Sequence, residues 1–498
     1  MARTGRVLLS GAHVTQQTAR GLRRIRRSPA QRRRLGLLVL GLALALVAVI
    51  SELGGSPLPS PPRAGPAIGP VPGSPYGYVS ARQASYVARA TAGNAHVLFI
   101  KSPGGAMATA ARVARYRPLI DRAAAGSGID PGLLEALVFV ESAGRPQIIA
   151  GSDPSAAAGL TQILAQTGQS LLGMHIDLAR SRTLTGQIDA IAAGTRTGTL
   201  APLLARRAAI DDRFNPAKEL AATVRYLLFA ERQFGREDLA IESYHMGVGN
   251  LHNVLSDYDG GRAVPYAQVY FDSAPNHHAA AYRLLAGFGD DSSLYYWRVL
   301  GALQIMHLYR TNPGVLARLS RLQLADAAGA AVLHPPDRTT SFADPSALSA
   351  AYQNRTLVPL PSNAAGLGLA FDAGMGSGAA RLGTSAALYR GLRPAALRLL
   401  IELAGQVRAL SGGSAPLRVQ STVSDARYQQ QTGGSFAAAT TGWSFQISRR
   451  YVSRAQAEAF QAMLDRLQSL NLIAWAREAS VIEVTVASDG AVTAGRGL

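Results

Sequence analysis

Cysteine is absent from the 498 residues, which excludes a disulfide framework, a thiolate metal site and a cysteine nucleophile. Lysine is nearly absent, occurring at Lys101 and Lys218 alone, so the formal charge of +19 rests on arginine. Acidic residues are missing before residue 35, where ten arginines lie between Arg3 and Arg34 and supply about half of that excess. The charge is therefore largely the property of one segment, and the remainder forms no basic block of the kind that nucleic-acid binding uses. No internal repeat of fixed period is present.

Polar side chains are missing from residues 35–50, LGLLVLGLALALVAVI. Continuing to Leu53 across Ser51 and Glu52 approaches the ~20 residues that cross a bilayer. The arginines precede this run and Arg63 alone follows it closely, so the positive-inside rule puts the N-terminus in the cytoplasm and everything after about residue 55 outside. A signal peptide would need a small-residue cleavage site after the apolar run, and the one such pattern, Ala43-Leu44-Ala45, lies inside it. An uncleaved anchor over 35–53 is the favoured reading.

With 48% hydrophobic residues the chain is rich enough in apolar side chains for two or three domains. Residues 1–34 read as a basic cytoplasmic segment, 35–53 as the anchor and 54–106 as a Pro/Gly-rich stalk and lead-in. Residues 107–310 have helical patterning, 311–384 read as a linker region, and 385–498 mix one amphipathic helix (393–410) with alternating strand-like runs at 417–423 and 481–487. The fold class expected is a mainly α catalytic domain, preceded by a single transmembrane helix and followed by a smaller α+β domain.

Within the helical part, GIDPGLLEALVFVESAG (128–144) places Asp130 as an N-cap and Pro131 at the first helical position, and closes at Gly144. Leu133, Leu134, Leu137, Val138 and Val140 wrap most of the circumference, so the helix is expected to be buried. Glu141, near its C-terminal end, is then out of place. Apolar surroundings and the negative end of the helix dipole both push its pKa upward, which suits a general acid. The alternative is a surface residue on the last turn, and Glu141 taken alone leaves both readings open.

Four further segments follow in order: AAGLTQI (157–163), DDRFNP (211–216), YLLFAERQFG (226–235) and LAIESYHMGVGNL (239–251). With the Glu141-Ser142 pair, this succession resembles the soluble lytic transglycosylase family of lysozyme-like folds, over roughly residues 110–300. The resemblance implies that Glu141 is the catalytic acid/base, with Ser142 as a neighbouring polar group, Gln162 lining the sugar groove and Tyr244 supporting the catalytic carboxyl. A later family tyrosine in a Y-V-x-x-V context is matched to Tyr266 of PYAQV. Gly247 and Gly249 are expected where the backbone needs positive φ or close approach. His245 stands where the family has Asn, and some thirty extra residues separate Gln162 from Asn215, an insert expected to border the groove.

No second acid is tied to Glu141 by a motif. Glu135, Glu242, Asp153, Asp211 and Asp212 are expected to be solvated or to cap helices. The resemblance implies one-carboxylate chemistry, in which the MurNAc-GlcNAc β-1,4 bond of peptidoglycan is cleaved with formation of 1,6-anhydroMurNAc. No metal or organic cofactor is expected. The alternatives are a hydrolytic muramidase and a non-catalytic peptidoglycan-binding scaffold. The partners expected are glycan strands and, through 35–53, the plasma membrane, in a bacterial cell envelope; no nucleic acid is among them.

Residues from about 385, on LRVQSTVSDARYQ (417–429), TTGWSFQI (440–447) and VIEVTV (481–486), resemble a zinc D-Ala-D-Ala carboxypeptidase type of domain. The places of its zinc ligands hold Ala439, Gln446 and Glu483, a set without the imidazoles zinc prefers. A metal-free relic that binds stem peptide, or a purely structural appendage, is expected there.

Overall fold

The computed structural model describes residues 77–489 apart from 290 and 435, which lie within a single compact unit. The expected span at 35–53 and the basic segment before it fall outside the described residues. Among those described, no helix is long and apolar enough to cross a membrane.

The N-terminal two thirds is helical. Helices α1 (Gln83–Gly93), α2 (His96–Ile100), α3 (Ala106–Ala114) and α4 (Arg117–Ala124) lead to α5 (Pro131–Ser142). The insert forms α6 (Ala165–Ser170), α7 (Leu178–Ala192) and α8 (Leu200–Ile210), the last two packed as a hairpin. Then come α9 (Pro216–Phe234), α10 (Glu237–Met246), α11 (Val248–Asp259), α12 (Tyr266–Asp272), α13 (Ala279–Gly287) and α14 (Tyr295–Thr311).

Helix α5 starts and stops where its sequence dictates. The Asp130 carboxylate accepts from the Gly132 amide, Pro131 needs no amide partner at the first position, and Ala143 turns into the left-handed region at φ 53°. Leu133, Leu134, Ala136, Leu137, Val138 and Phe139 are all buried, and α14 packs along the helix as its main neighbour. An all-round apolar helix is stable only inside a core, and burying six such side chains contributes on the order of 10 kcal/mol.

The C-terminal part is a five-stranded sheet in the order β2-β4-β5-β7-β6, with β2 (Leu369–Phe371), β4 (Leu417–Ser421), β5 (Ser444–Ser448), β6 (Ile473–Arg477) and β7 (Val481–Val486). β2 pairs parallel to β4 and the remaining neighbours are antiparallel. A two-residue ladder joins β1 (Val358–Pro359) to β3 (Gly391–Leu392). Helices α18 (Pro394–Ser411) and α20 (Arg454–Ser469) pack on each other and on the sheet, and α19 (Ala426–Thr432) closes one end.

Two expected boundaries are corrected. Residues 311–384, read as a linker, form α15 (Pro313–Gln323), α16 (Ala328–Leu333) and α17 (Pro345–Gln353) and supply the edge strand β2. The lead-in before residue 106 is not all stalk. Helix α1 buries Tyr86, Ala90 and Thr91 and packs against both α14 and α20. At its end Gly93 approaches the Gln468 carbonyl so closely that a Cβ would collide with it. One apolar cluster runs from Tyr86 and Trp297 in the helical part to Leu399 and Phe445 in the sheet layer, so the two parts share a core.

Candidate active site

A groove of about 670 Å³ opens beside the C-terminal end of α5, and Glu141, Gln162, Tyr244 and His245 line it. Glu141 is the one carboxylate among its described lining residues. Burial pushes the Glu141 carboxyl up to about 7, against an opposing hydrogen bond from Tyr295. The Tyr295 hydroxyl donates to Glu141 Oε1 at 2.5 Å. The end of α5 is tied down separately: Arg112 Nε donates to the Ala143 carbonyl at 2.9 Å, which removes one exposed acceptor from that helix end.

The loop carrying Gln162 is held from two sides. Glu219, in the first turn of α9, accepts from the amides of Leu160 (2.6 Å) and Thr161 (2.8 Å) and from the Thr161 hydroxyl (3.1 Å). Tyr244, on α10, donates its hydroxyl to the Thr161 carbonyl at 2.9 Å. Gly159 has φ 93°, and a Cβ there would strike the Arg213 carbonyl and the Glu219 carboxylate, so glycine is required. Gln162 itself sits at φ 55°, its amide nitrogen donating to the Gly159 (2.9 Å) and Ile148 (3.2 Å) carbonyls. A side chain so fixed presents its amide to the groove in one orientation. Helix α9 begins sharply because Asn215 accepts from the Ala217 and Lys218 amides ahead of Pro216.

The expected site residues divide. Glu141, Gln162 and Tyr244 come together in the groove. Ser142 is 2% exposed, with its hydroxyl on the Val138 carbonyl and the Arg145 amide, so it finishes the helix and faces away. Tyr266 is fully buried and donates to the Ser293 carbonyl at 2.7 Å, away from the groove. The tyrosine that touches the Glu141 carboxyl is Tyr295, which the motif comparison did not select. Its signal was present: Val299 follows Tyr295 by four residues, as the second valine follows tyrosine in Y-V-x-x-V, whereas Val269 follows Tyr266 by three.

Of the acids expected to be solvated or to cap helices, several are buried. Glu242 is inaccessible, its carboxyl pushed up to about 8 by burial, and it accepts from the Tyr296 amide at 2.8 Å. It thereby caps the start of α14 and sets Tyr295 over Glu141. Glu135 is inaccessible and pairs with Arg310 and Arg117. Asp211 and Arg213 form a fully buried pair at 2.8 Å, while Asp212 binds the Lys218 ammonium at 2.7 Å. For Glu135 and Glu242 burial follows from partners distant in sequence, whereas Asp211 and Asp212 pair within their own segment. Asp153 is half-buried and meets Arg182 at 2.6 Å.

The insert reaches the groove through residues 164–172. Leu164 and Leu171 both line it and keep 52% and 43% of their surface exposed. His245 stacks on Tyr295 with ring centres 5.1 Å apart, and its Nδ1 meets the Ser292 hydroxyl at 2.9 Å. Gly247 has φ 87°, whereas Gly249 lies in the first turn of α11 and needs no special backbone.

In the sheet layer a second pocket, about 370 Å³, holds Gln446 and Ala439 on its wall. Gln446 accepts from the Ser421 hydroxyl at 2.6 Å and donates to the Glu483 carboxyl at 2.8 Å, across three neighbouring strands. Trp443 is half-buried and stacks on His334, while Tyr428 packs on Tyr389 at the pocket wall.

Residues 118–197 match the family model described as "Transglycosylase SLT domain", a span that includes α5, the Gln162 loop and the insert through α7. No curated protein matches the chain.

Proposed function

Because the chain carries a transglycosylase SLT domain, we propose that it is a membrane-anchored lytic transglycosylase that cuts the MurNAc-GlcNAc bond of peptidoglycan with Glu141 as its acid/base. The observation that carries the reading is a lone carboxyl, raised to about 7, in a groove lined by no other carboxylate among the described residues. Glycosidases with two carboxylates set them roughly 5–9.5 Å apart across the bond. A single acid must instead serve twice, and a pKa near neutrality lets it do so.

In the first step protonated Glu141 gives its proton to the bridging oxygen as the C1–O bond breaks, and GlcNAc leaves with a free 4-hydroxyl. The sugar's N-acetyl oxygen stabilises the oxocarbenium-like C1. In the second step the Glu141 carboxylate takes the proton of the MurNAc 6-hydroxyl while that oxygen bonds to C1, closing the 1,6-anhydro ring and restoring the acid. Tyr295 holds Glu141 Oε1 throughout, a positioning role that keeps the other oxygen toward the sugar. Gln162 and Tyr244 bound the subsite, and Leu164 and Leu171 offer apolar surface to the faces of sugar rings.

The same reading puts the anchor at 35–53 and the catalytic groove outside the membrane. It also gives the neutral, amide- and hydroxyl-lined pocket at Gln446 to stem peptide, whose backbone such groups can pair.

Purified sacculi digested with the full chain in detergent should yield anhydro-muropeptides by mass spectrometry, and Glu141→Gln should yield none. Reducing MurNAc ends would identify a hydrolase, and no release at all a binding scaffold. Protease added to intact spheroplasts should remove the groove domain; complete protection would overturn the topology. Calorimetric titration of the Glu141→Gln chain with free stem peptide should give saturable heat, and heat from peptide-free glycan alone would reject the peptide pocket.

A further inference from the structure

Asp272 ends α12, and His277 and His278 lie five and six residues on, immediately before α13. The three offer one ligand atom each, all within 4.8 Å of one another. His277 Nε2 is 3.5 Å from one Asp272 carboxylate oxygen and His278 Nε2 is 3.5 Å from the other. That distance is long for a hydrogen bond, whose N···O range is about 2.7–3.2 Å. It is close to the donor–donor separation in a tetrahedral zinc site, roughly 3.3–3.6 Å for donors ~2.0–2.2 Å from the metal, with each histidine measured to its own carboxylate oxygen.

We propose that Asp272, His277 and His278 form a structural binding site for a divalent transition metal, zinc by donor type, at the junction of α11, α12 and α13. Two imidazoles and one carboxylate suit zinc, and water completes the fourth position through the solvent-facing side, where the three side chains keep 23%, 28% and 18% of their surface. The reading expected from the sequence, no metal, rested on the one-carboxylate chemistry that the resemblance implies and on Ala439, Gln446 and Glu483 standing where zinc ligands would be. The Asp-x4-His-His spacing lay outside both.

Three features support the assignment. The Tyr258 hydroxyl, from α11, donates to Asp272 Oδ2 at 2.7 Å and itself accepts from Gln268 at 3.1 Å, the outer hydrogen bonding that orients a ligating carboxylate. The Ala274 and His277 backbones exchange hydrogen bonds of 2.7 and 3.1 Å, so the turn between the donors is closed before metal arrives. His278 stands at φ 46°, a strained conformation that turns its ring back over Asp272 and onto the Tyr258 ring, 4.2 Å away. Arg466, which faces the cluster from α20, spends its guanidinium on the Ser273 carbonyl. A metal at this turn therefore also stiffens the seat of α20, the helix that joins the sheet layer to the groove domain.

The test uses the untagged full chain in detergent. After gel filtration in chelator-free buffer it should retain about one equivalent of Zn2+. Co2+ in its place should give the visible bands of a four-coordinate ion. Zn2+ should raise the melting temperature by several degrees. His277→Ala and His278→Ala should each lose the bound metal and the thermal shift while keeping their circular dichroism. Retention of one equivalent by both variants would overturn the proposal. So would a Co2+ titration of the unaltered chain without such bands, which needs no variant to fold.

Discussion

Replacing Glu141 by Gln should abolish cleavage and at the same time stabilise the protein, and the size of the second effect depends on pH. The carboxyl is raised from 4.5 to about 7 because burial disfavours its charged form. Each unit corresponds to about 1.4 kcal/mol, so carrying the charge above pH 7 costs the folded state roughly 3 kcal/mol. A raised acid makes the folded chain bind more protons than the unfolded one between pH 4.5 and 7, so stability falls through that window as pH rises. Gln is neutral throughout and still accepts from Tyr295. The variant should therefore match the parent near pH 4 and exceed it by about 1–3 kcal/mol at pH 8, the lower figure allowing for water in the groove. Denaturant unfolding of both proteins at the two pH values reads the difference, alongside anhydro-muropeptide release. Equal stability at pH 8, or release at the parental rate, would refute the reasoning.

Tyr295→Phe removes the donor that lowers the Glu141 pKa. The alkaline limb of the pH–rate profile should move upward by about half to one unit while the maximal rate falls roughly 10–100-fold; an unmoved limb would remove Tyr295 from its positioning role. Gly159→Ala forces a Cβ into the Arg213 carbonyl at a positive φ, and should cost about 3 kcal/mol or more, read as a lowered unfolding midpoint. Glu219→Ala leaves the Leu160 and Thr161 amides without their buried acceptor, and a loss of about 3 kcal/mol should accompany loss of activity. Leu164→Ser with Leu171→Ser should raise KM for sacculi about tenfold with little change in kcat; the reverse split would take the insert out of substrate binding.

What could be read from the chain follows from where its information is local. The cap and proline at Asp130 and Pro131, the apolar wrap of α5 and the alternation at 417–423 and 481–487 are short-range patterns, and the corresponding elements form at those places. Glu141 was recognisable as a carboxyl in an apolar helix, and Gln162 and Tyr244 by motif. Other placements did not follow from the sequence patterns. Ser142 is adjacent to Glu141 yet points to the other side of the helix. Tyr266 was matched on a short motif, whereas it is Tyr295 that reaches Glu141, across 154 positions. The linker assigned to 311–384 hides an edge strand of three residues, too short for periodicity to register.

The sequence alone determined that a helix would form around Glu141 and where it would start and stop, because capping and propensity act within a few residues. Which tyrosine holds the carboxyl, and that Glu135 is buried between Arg117 and Arg310, were decided only by tertiary structure. Those outcomes depend on desolvation and on partners delivered by other helices, and neither quantity exists until the core has closed.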